Sequence, residues 1–277
     1  MATIFKNPNL PDYFIEHPGP ESLIADYEAG KVITLPFLKL DIDTDFWASL
    51  PVDTYPGLKK LSATDDGGAL MRSQLAHAEV PTALAEAIVE QAETILAQVL
   101  PVYAKLFEGY RFTQRKIVWR LTTTRSEAMH IDTYKEENRD HFARLFINLD
   151  NQPRIWNVSH DMNGLSDMFG HDAAMSIEKD TPNRLHTRIK EMAFGLASED
   201  CFDAQPRQTI FFDPGEAWVV DSRQVAHQIF YGRRAVSIDF FVERDSMQEP
   251  TRHYLMRAKK LLRKIKGLPE HKRKKGD

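Results

Sequence analysis

Between residues 116 and 242 the chain carries eight short segments rich in β-branched and aromatic residues: 117–119, 130–133, 144–149, 154–158, 209–212, 217–220, 225–230 and 235–242. Turn formers separate several of them, among them Asp150-Asn151-Gln152-Pro153, Asp213-Pro214-Gly215 and Tyr231-Gly232. Strands this short bury too little to stand alone, and about eight in one block predict a two-sheet jelly roll. The expected fold class is α+β: a double-stranded β-helix (cupin-like) core over about 111–243 with flanking helices. At 277 residues the chain can bury a full core. The expected division is one domain over 1–250, with an N-terminal helical extension, followed by a basic helix and disordered tail over 251–277.

The helices announce themselves by period. Leu84, Ile88, Ala92, Ile95, Val99 and Leu106 fall on one stripe, which predicts a helix over 82–107 laid on a sheet and bent or divided at Pro101. Shorter helices are expected at 21–29, closed by Gly30, and at 43–50, with Asp43 or Thr44 as N-cap. Thr181-Pro182 starts another inside the strand block, running to about 196. Residues 62–69 read as a turn cluster, and the stretch containing His160-Asp161 and His171-Asp172 reads as loop.

His130-Ile131-Asp132 is the segment with chemistry in it. In an extended chain His130 and Asp132 share a face while Ile131 points into packing. Two imidazoles and one carboxylate leave the far side of a metal open, as non-haem Fe(II) oxygenases need for a co-substrate and dioxygen. The missing imidazole must come from another strand. His227 fits, lying in the last pair of strands, 95 residues beyond Asp132. A 2-oxoglutarate co-substrate further needs a buried cation, best an arginine fork. Arg144 shares a strand face with Phe146 and Asn148; Arg234 follows the Gly232 turn; residues alone do not choose between them. Asn148, Trp156 and Arg120 are candidates for the pocket wall. His141, His160, His171 and His186 could compose other metal sites, but the adjacent pairs at 160–161 and 171–172 point apart in a strand and make poor ones.

Other chemistries lack their signatures. There is no Gly-x-Ser-x-Gly elbow and no glycine pattern for dinucleotides or phosphates. Cys201 is the single cysteine, which excludes an internal disulfide and a cysteine-rich zinc site and fits a reducing cytoplasm. Charge is unevenly spread. Residues 252–277 hold eleven Lys/Arg against Glu270 and Asp277, a net of +9, which leaves −13 for the rest of a chain totalling −4. Within this stretch Leu255, Ala258, Leu261, Leu262 and Ile265 form an apolar side, so the segment reads as an amphipathic helix suited to an anionic surface. An ordinary solvated face is the competing reading.

Set in order, several landmarks resemble the bacterial Kdo (3-deoxy-D-manno-octulosonic acid) hydroxylases. They are Tyr27-Glu28-Ala29-Gly30-Lys31-Val32 with Leu35-Pro36, Lys59-Lys60-Leu61-Ser62 with Gly67-Gly68-Ala69-Leu70, and Met129-His130-Ile131-Asp132. Arg144-Leu145-Phe146-Ile147-Asn148, Pro153-Arg154-Ile155-Trp156, and Pro214-Gly215 with Trp218, His227 and Gly232 complete the series. The run 133–137 after Asp132 departs from the small residues and prolines of the family, and Arg234 stands where the family is not expected to hold its arginine.

The resemblance implies an Fe(II)/2-oxoglutarate/O2-dependent dioxygenase that hydroxylates Kdo in a lipopolysaccharide precursor, Kdo-lipid A. His130, Asp132 and His227 would hold the iron, with Arg144 preferred to Arg234 for the co-substrate. It implies a cytoplasmic protein, peripheral on the inner membrane through the basic helix, with no nucleic-acid partner. The sequence carries no signal of oligomeric state. The alternatives are the same chemistry on another sugar acid, an amino acid or a peptide side chain, or a jelly-roll binding protein without turnover.

Overall fold

The computed structural model describes residues 2–63, 68–125, 127–132, 140–195 and 205–267. In chain order the elements are β1 (Thr3–Phe5), β2 (Phe14–Glu16), α1 (Ile24–Glu28), β3 (Val32–Thr34), α2 (Thr44–Ser49), β4 (Lys60–Ala63), α3 (Ala69–His77) and α4 (Thr82–Leu106). Then follow β5 (Phe112–Arg120), β6 (Thr124–Arg125), β7 (His141–Asn148), β8 (Arg154–Asp161), α5 (Met162–Ser176) and α6 (Pro182–Phe194). The last are β9 (Gln208–Phe212), β10 (Ala217–Val219), β11 (Val225–Gly232), β12 (Ala235–Val242) and α7 (Tyr254–Lys266).

The strands form the expected two sheets, ordered β1-β9-β8-β11-β6 and β2-β3-β10-β7-β12-β5-β4. Alternation along β7 shows how one strand serves two layers. Leu145 and Ile147 face outward into a core shared with the N-terminal helices, while Arg144 and Phe146 face the interior of the roll. Between the sheets Trp156, Phe212 and Trp218 pack as an aromatic box, with Phe212 and Trp218 stacked at 3.8 Å. α4 lays Ile88, Ala92, Ile95 and Val99, all buried, on the larger sheet, each contributing about 2 kcal/mol except the smaller alanine. Two buried tyrosines tie this layer to the strand beneath: Tyr103 donates to the Ala143 carbonyl (2.8 Å) and Tyr27 to that of Phe142 (2.9 Å).

Three local expectations differ from the structure. α4 runs through Pro101 undivided, because Pro101 and Ala97 both face solvent. The ring therefore meets no neighbour, and water can satisfy the carbonyl that loses its donor. Of the expected turn cluster over 62–69, Ser62 and Ala63 belong to β4 and Ala69 opens α3, while 64–67 lie outside the described residues. α5 occupies the stretch read as loop: Asp161 caps it, accepting from Gly164 N at 2.8 Å, and Gly170 lets Leu261 approach so closely that a Cβ there would lie 2.9 Å from it. Those glycines, which look like loop residues in the sequence, serve packing.

α5, α6 and α7 form a third layer, whose core joins Leu165, Ala173, Leu185, Ile189 and Leu262 to Met129, Ile131 and Ala226. The caps expected at Asp43 and Thr181 are present. The run 133–137, Cys201 and the tail after 267 lie outside the described residues.

Candidate metal centre

His130 and His227 face each other across the seam between the helix layer and β11. Their main chains form an isolated antiparallel bridge, His130 N to His227 O at 3.0 Å and His227 N to His130 O at 2.8 Å. Backbone pairing thus fixes the spacing of the two imidazoles, whose rings lie 4.5 Å apart between centroids. Asp132 follows two residues on, its N–H donating to Ser222 O at 2.9 Å, and its Oδ1 is 3.7 Å from His130 Nε2. One ligand atom from each of the three lies within 4.8 Å of the others. The shared face expected from alternation is therefore present, although only His130 is paired as in a strand.

Protons are arranged to leave lone pairs free. A carbonyl can only accept, so His130 Nδ1 carries the hydrogen it gives to Ala128 O (2.8 Å), and His227 Nδ1 the one it gives to Val225 O (3.1 Å). Each Nε2 is left as an acceptor, the state a metal requires. Burial, reinforced by His130, pushes the His227 imidazole down to about 4. For Asp132 burial alone would raise the carboxyl. The Arg144 guanidinium, then His227 and the Ser222 hydroxyl, outweigh it and hold Asp132 well below the usual carboxylate range. The His227 imidazole is neutral and the Asp132 carboxylate ionised at neutral pH.

The two oxygens of Asp132 are differently engaged. Oδ2 accepts from Ser222 Oγ at 2.6 Å and from Arg144 Nη1. Oδ1 is the oxygen turned toward His130. Arg144 is held from its other side by Asp239, Nε to Oδ1 at 2.7 Å. Asp132, Arg144 and Asp239, with Arg120, Phe146, Arg223 and Ser237, line a cavity of about 230 Å³ inside the roll. Three guanidiniums against two carboxylates leave it positive, fit for an anionic ligand. Trp156 stacks on His227 with ring centroids 5.1 Å apart. From the helix layer Lys190 donates to Ile131 O at 2.9 Å, pinning the turn between the first two candidate ligands.

Two of the sequence candidates stand elsewhere. Arg234 is buried with its guanidinium on the carbonyls of Trp47 (3.0 Å), Leu121 and Leu50 (3.2 Å), where it staples α2 to the strand ends. Those carbonyls leave it no free fork for a co-substrate. Asn148 donates to Gln152 O (2.9 Å), Phe212 O (3.1 Å) and Asp213 O (3.2 Å), holding two turns rather than lining the cavity. Arg120 does line the cavity, whereas Trp156 is buried in the core between the sheets, against His227. Sequence reading missed Ser222, Arg223 and Asp239. Asp239 left a trace, as the single charge in the apolar run 235–242.

The family model for 3-deoxy-D-manno-oct-2-ulosonic acid (Kdo) hydroxylase matches residues 15–265. Among solved structures, the Kdo hydroxylase KdoO, a non-haem Fe(II) alphaketoglutarate-dependent dioxygenase, is similar in its cobalt(II) complex. The TM-score is 0.60 at 14% identity over 96% of this chain and 99% of that one. Its complex with succinate and Fe(III) gives a TM-score of 0.58 at 14% identity, covering 92% and 96%. Identity this low establishes a shared fold. No curated protein matches the chain.

Proposed function

This chain belongs to the Kdo hydroxylase family, oxygenases dependent on Fe(II) and 2-oxoglutarate, and on that premise we propose that His130, Asp132 and His227 hold its iron. The observation that carries the assignment is the convergence of two Nε2 lone pairs and one free carboxylate oxygen on a single point, beside a positive cavity. The donor set suits non-haem iron and leaves coordination positions over for a keto acid and dioxygen. When bound, that metal couples oxidative decarboxylation of 2-oxoglutarate to hydroxylation of a C–H bond.

The chain's own residues prepare the site. Val225 O and Ala128 O fix the imidazole tautomers. Arg144 and Ser222 hold Oδ2 of Asp132 so that Oδ1 faces the metal position, and Asp239 holds Arg144. Arg144 is therefore a positioning residue for Asp132. Phe146, backed by Trp156, gives the cavity an apolar wall, which strengthens the charge interactions within it.

The substrate in this reading is Kdo of a lipopolysaccharide precursor, met at an anionic membrane surface. Support for the surface comes from α7, but not as an inserted helix. Its apolar residues Ala258, Leu261, Leu262 and Ile265 are packed against α5 and α6, and no described helix is long and apolar enough to cross a membrane. What α7 offers outward is charge, with Lys259, Lys260 and Lys264 exposed, each able to contribute on the order of 1 kcal/mol at an anionic surface.

Anaerobic Fe(II) with 2-oxoglutarate tests the centre. The wild-type protein is expected to develop a weak visible charge-transfer band that His130→Ala and His227→Ala lack. Under air it should add one oxygen to Kdo, read as a 16-dalton gain by mass spectrometry. A wild-type protein with neither band nor product would overturn the assignment.

A further inference from the structure

Residues 127–132 carry the first two candidate ligands but form no strand of either sheet. Their main-chain groups are tied one at a time, to β11 or to the segment itself. Glu127 N donates to Ile229 O at 3.0 Å, and the Glu127 carbonyl accepts from Gln228 Nε2 at 2.5 Å. Ala128 O takes the His130 Nδ1 proton, and His130 exchanges a pair of backbone bonds with His227. The peptide joining Ile131 to Asp132 is held differently. Its N–H donates to Ser222 O at 2.9 Å, and its carbonyl accepts from Lys190 Nζ at 2.9 Å. In a rigid trans peptide the N–H and C=O point opposite ways, so bonds at both ends fix its plane. That plane is one of the two that meet at the Asp132 Cα, and it limits where the carboxylate can point.

Lys190 comes from another layer. Its helix, α6, presents Leu185 and Ile189 to the cluster that buries the Ile131 side chain. One helix therefore grips Ile131 twice, by apolar contact at the side chain and by an ammonium at the carbonyl. Lys190 is half-buried to do so. Burial lowers its ammonium, against the pull of Asp132 and then Glu191. Lysine is rarely drawn out of water unless its charge is answered. Here a long flexible stem spans the gap from helix to carbonyl and delivers a charge-assisted bond. The other supports of Asp132 act further out, where Ser222 and Arg144 hold Oδ2. Lys190 acts on the backbone from which that side chain springs.

We infer that Lys190 is a positioning residue for the metal centre, fixing from α6 the peptide that aims Asp132. This rests on the reading of Asp132 as an iron ligand and extends it, because the ligand geometry then depends on a helix outside both sheets. A donor is what the position requires. Arginine can supply one to the same carbonyl, whereas methionine keeps the apolar stem and supplies none.

The test compares the full chain with Lys190→Met and Lys190→Arg, in two measurements. Calorimetric titration with Co(II) should show binding about ten-fold or more weaker in Lys190→Met, as for other groups that orient a metal ligand without touching the metal. Its Co(II) absorption spectrum should also change, a signature that a loss of stability alone would leave alone. Lys190→Arg should restore the spectrum and bring the affinity to within about three-fold of wild type. Hydrogen exchange followed by NMR is measured on the metal-free proteins. In Lys190→Met the Asp132 amide should exchange about ten-fold faster, while the His130 and His227 amides, bonded to each other's strand, keep their rates. Unchanged Co(II) affinity and spectrum in Lys190→Met, or an equal acceleration of all three amides, overturns the inference. A wild-type protein that binds no Co(II) refutes the metal reading instead, and the exchange rates, which need no metal, still judge the hold of Lys190 on the peptide.

Discussion

Replacing Arg144 by methionine should unsettle the metal-free protein far more than the metal-loaded one. Arg144 lies between Asp132 and Asp239, 2.7 Å from the latter, with 17% of its own side chain exposed. Removing it strands two carboxylates. Asp239 has only 8% of its side chain exposed, whereas Asp132 keeps 33% exposed and is partly screened. Breaking a buried ion pair costs about 3–5 kcal/mol, and the partial exposure of Asp132 puts this case near 3. In a chain of this size that is about 6–12 °C in Tm. A divalent ion restores the counter-charge at Asp132, so Co(II) should raise the Tm of Arg144→Met by more degrees than that of wild type. The assay is thermal unfolding with and without Co(II), followed by circular dichroism. A metal-free variant within about 1 kcal/mol of wild type, or an equal Co(II) shift in both proteins, would falsify the view that Arg144 and the metal share Asp132.

Acid should weaken the fold early. Burial pushes His141, His186 and His253 each down to about 3, from an unfolded value near 6.5. Between those values the unfolded chain binds more protons, so the stability they confer is whole above pH 6.5 and falls as pH drops toward 3. At pH 5 the loss is about 2 kcal/mol per histidine, less where they interact. Urea unfolding at pH 7.5 and 5.0 measures it, and His141→Leu, which removes a ring with neither nitrogen bonded, should flatten the dependence; equal stability at the two pH values would contradict it. On the outer face of α7, reversing Lys259, Lys260 and Lys264 to Glu should abolish co-sedimentation with anionic vesicles while leaving Tm unchanged. Retained binding would place the contact on another surface.

The sheets could be read from the sequence because their determinants are local. A strand buried on both faces is continuously apolar, and a polar interruption such as Arg144 marks where the interior turns hydrophilic. The proximity of the three candidate ligands was legible for the same reason: His130 and Asp132 obey alternation, and strand order brings His227 beside them. α5 was not legible, because Gly170 carries long-range packing against Leu261 that a local pattern cannot distinguish from loop. Nor could sequence separate the arginines. Arg144 and Arg234 differ in their partners, two carboxylates against three carbonyls, and those partners come from distant parts of the chain.

The two sides of α7 are bound to different fates. Leu262 shares one cluster with Met129, Ile131 and Ala226, residues that flank all three metal-facing side chains. Cutting the helix away would therefore loosen the centre along with any surface attachment, and a truncated chain could not tell the two losses apart. Point changes separate them: the outer lysines can be exchanged without disturbing that cluster, while the inner Leu262 packs with the residues that flank His130, Asp132 and His227.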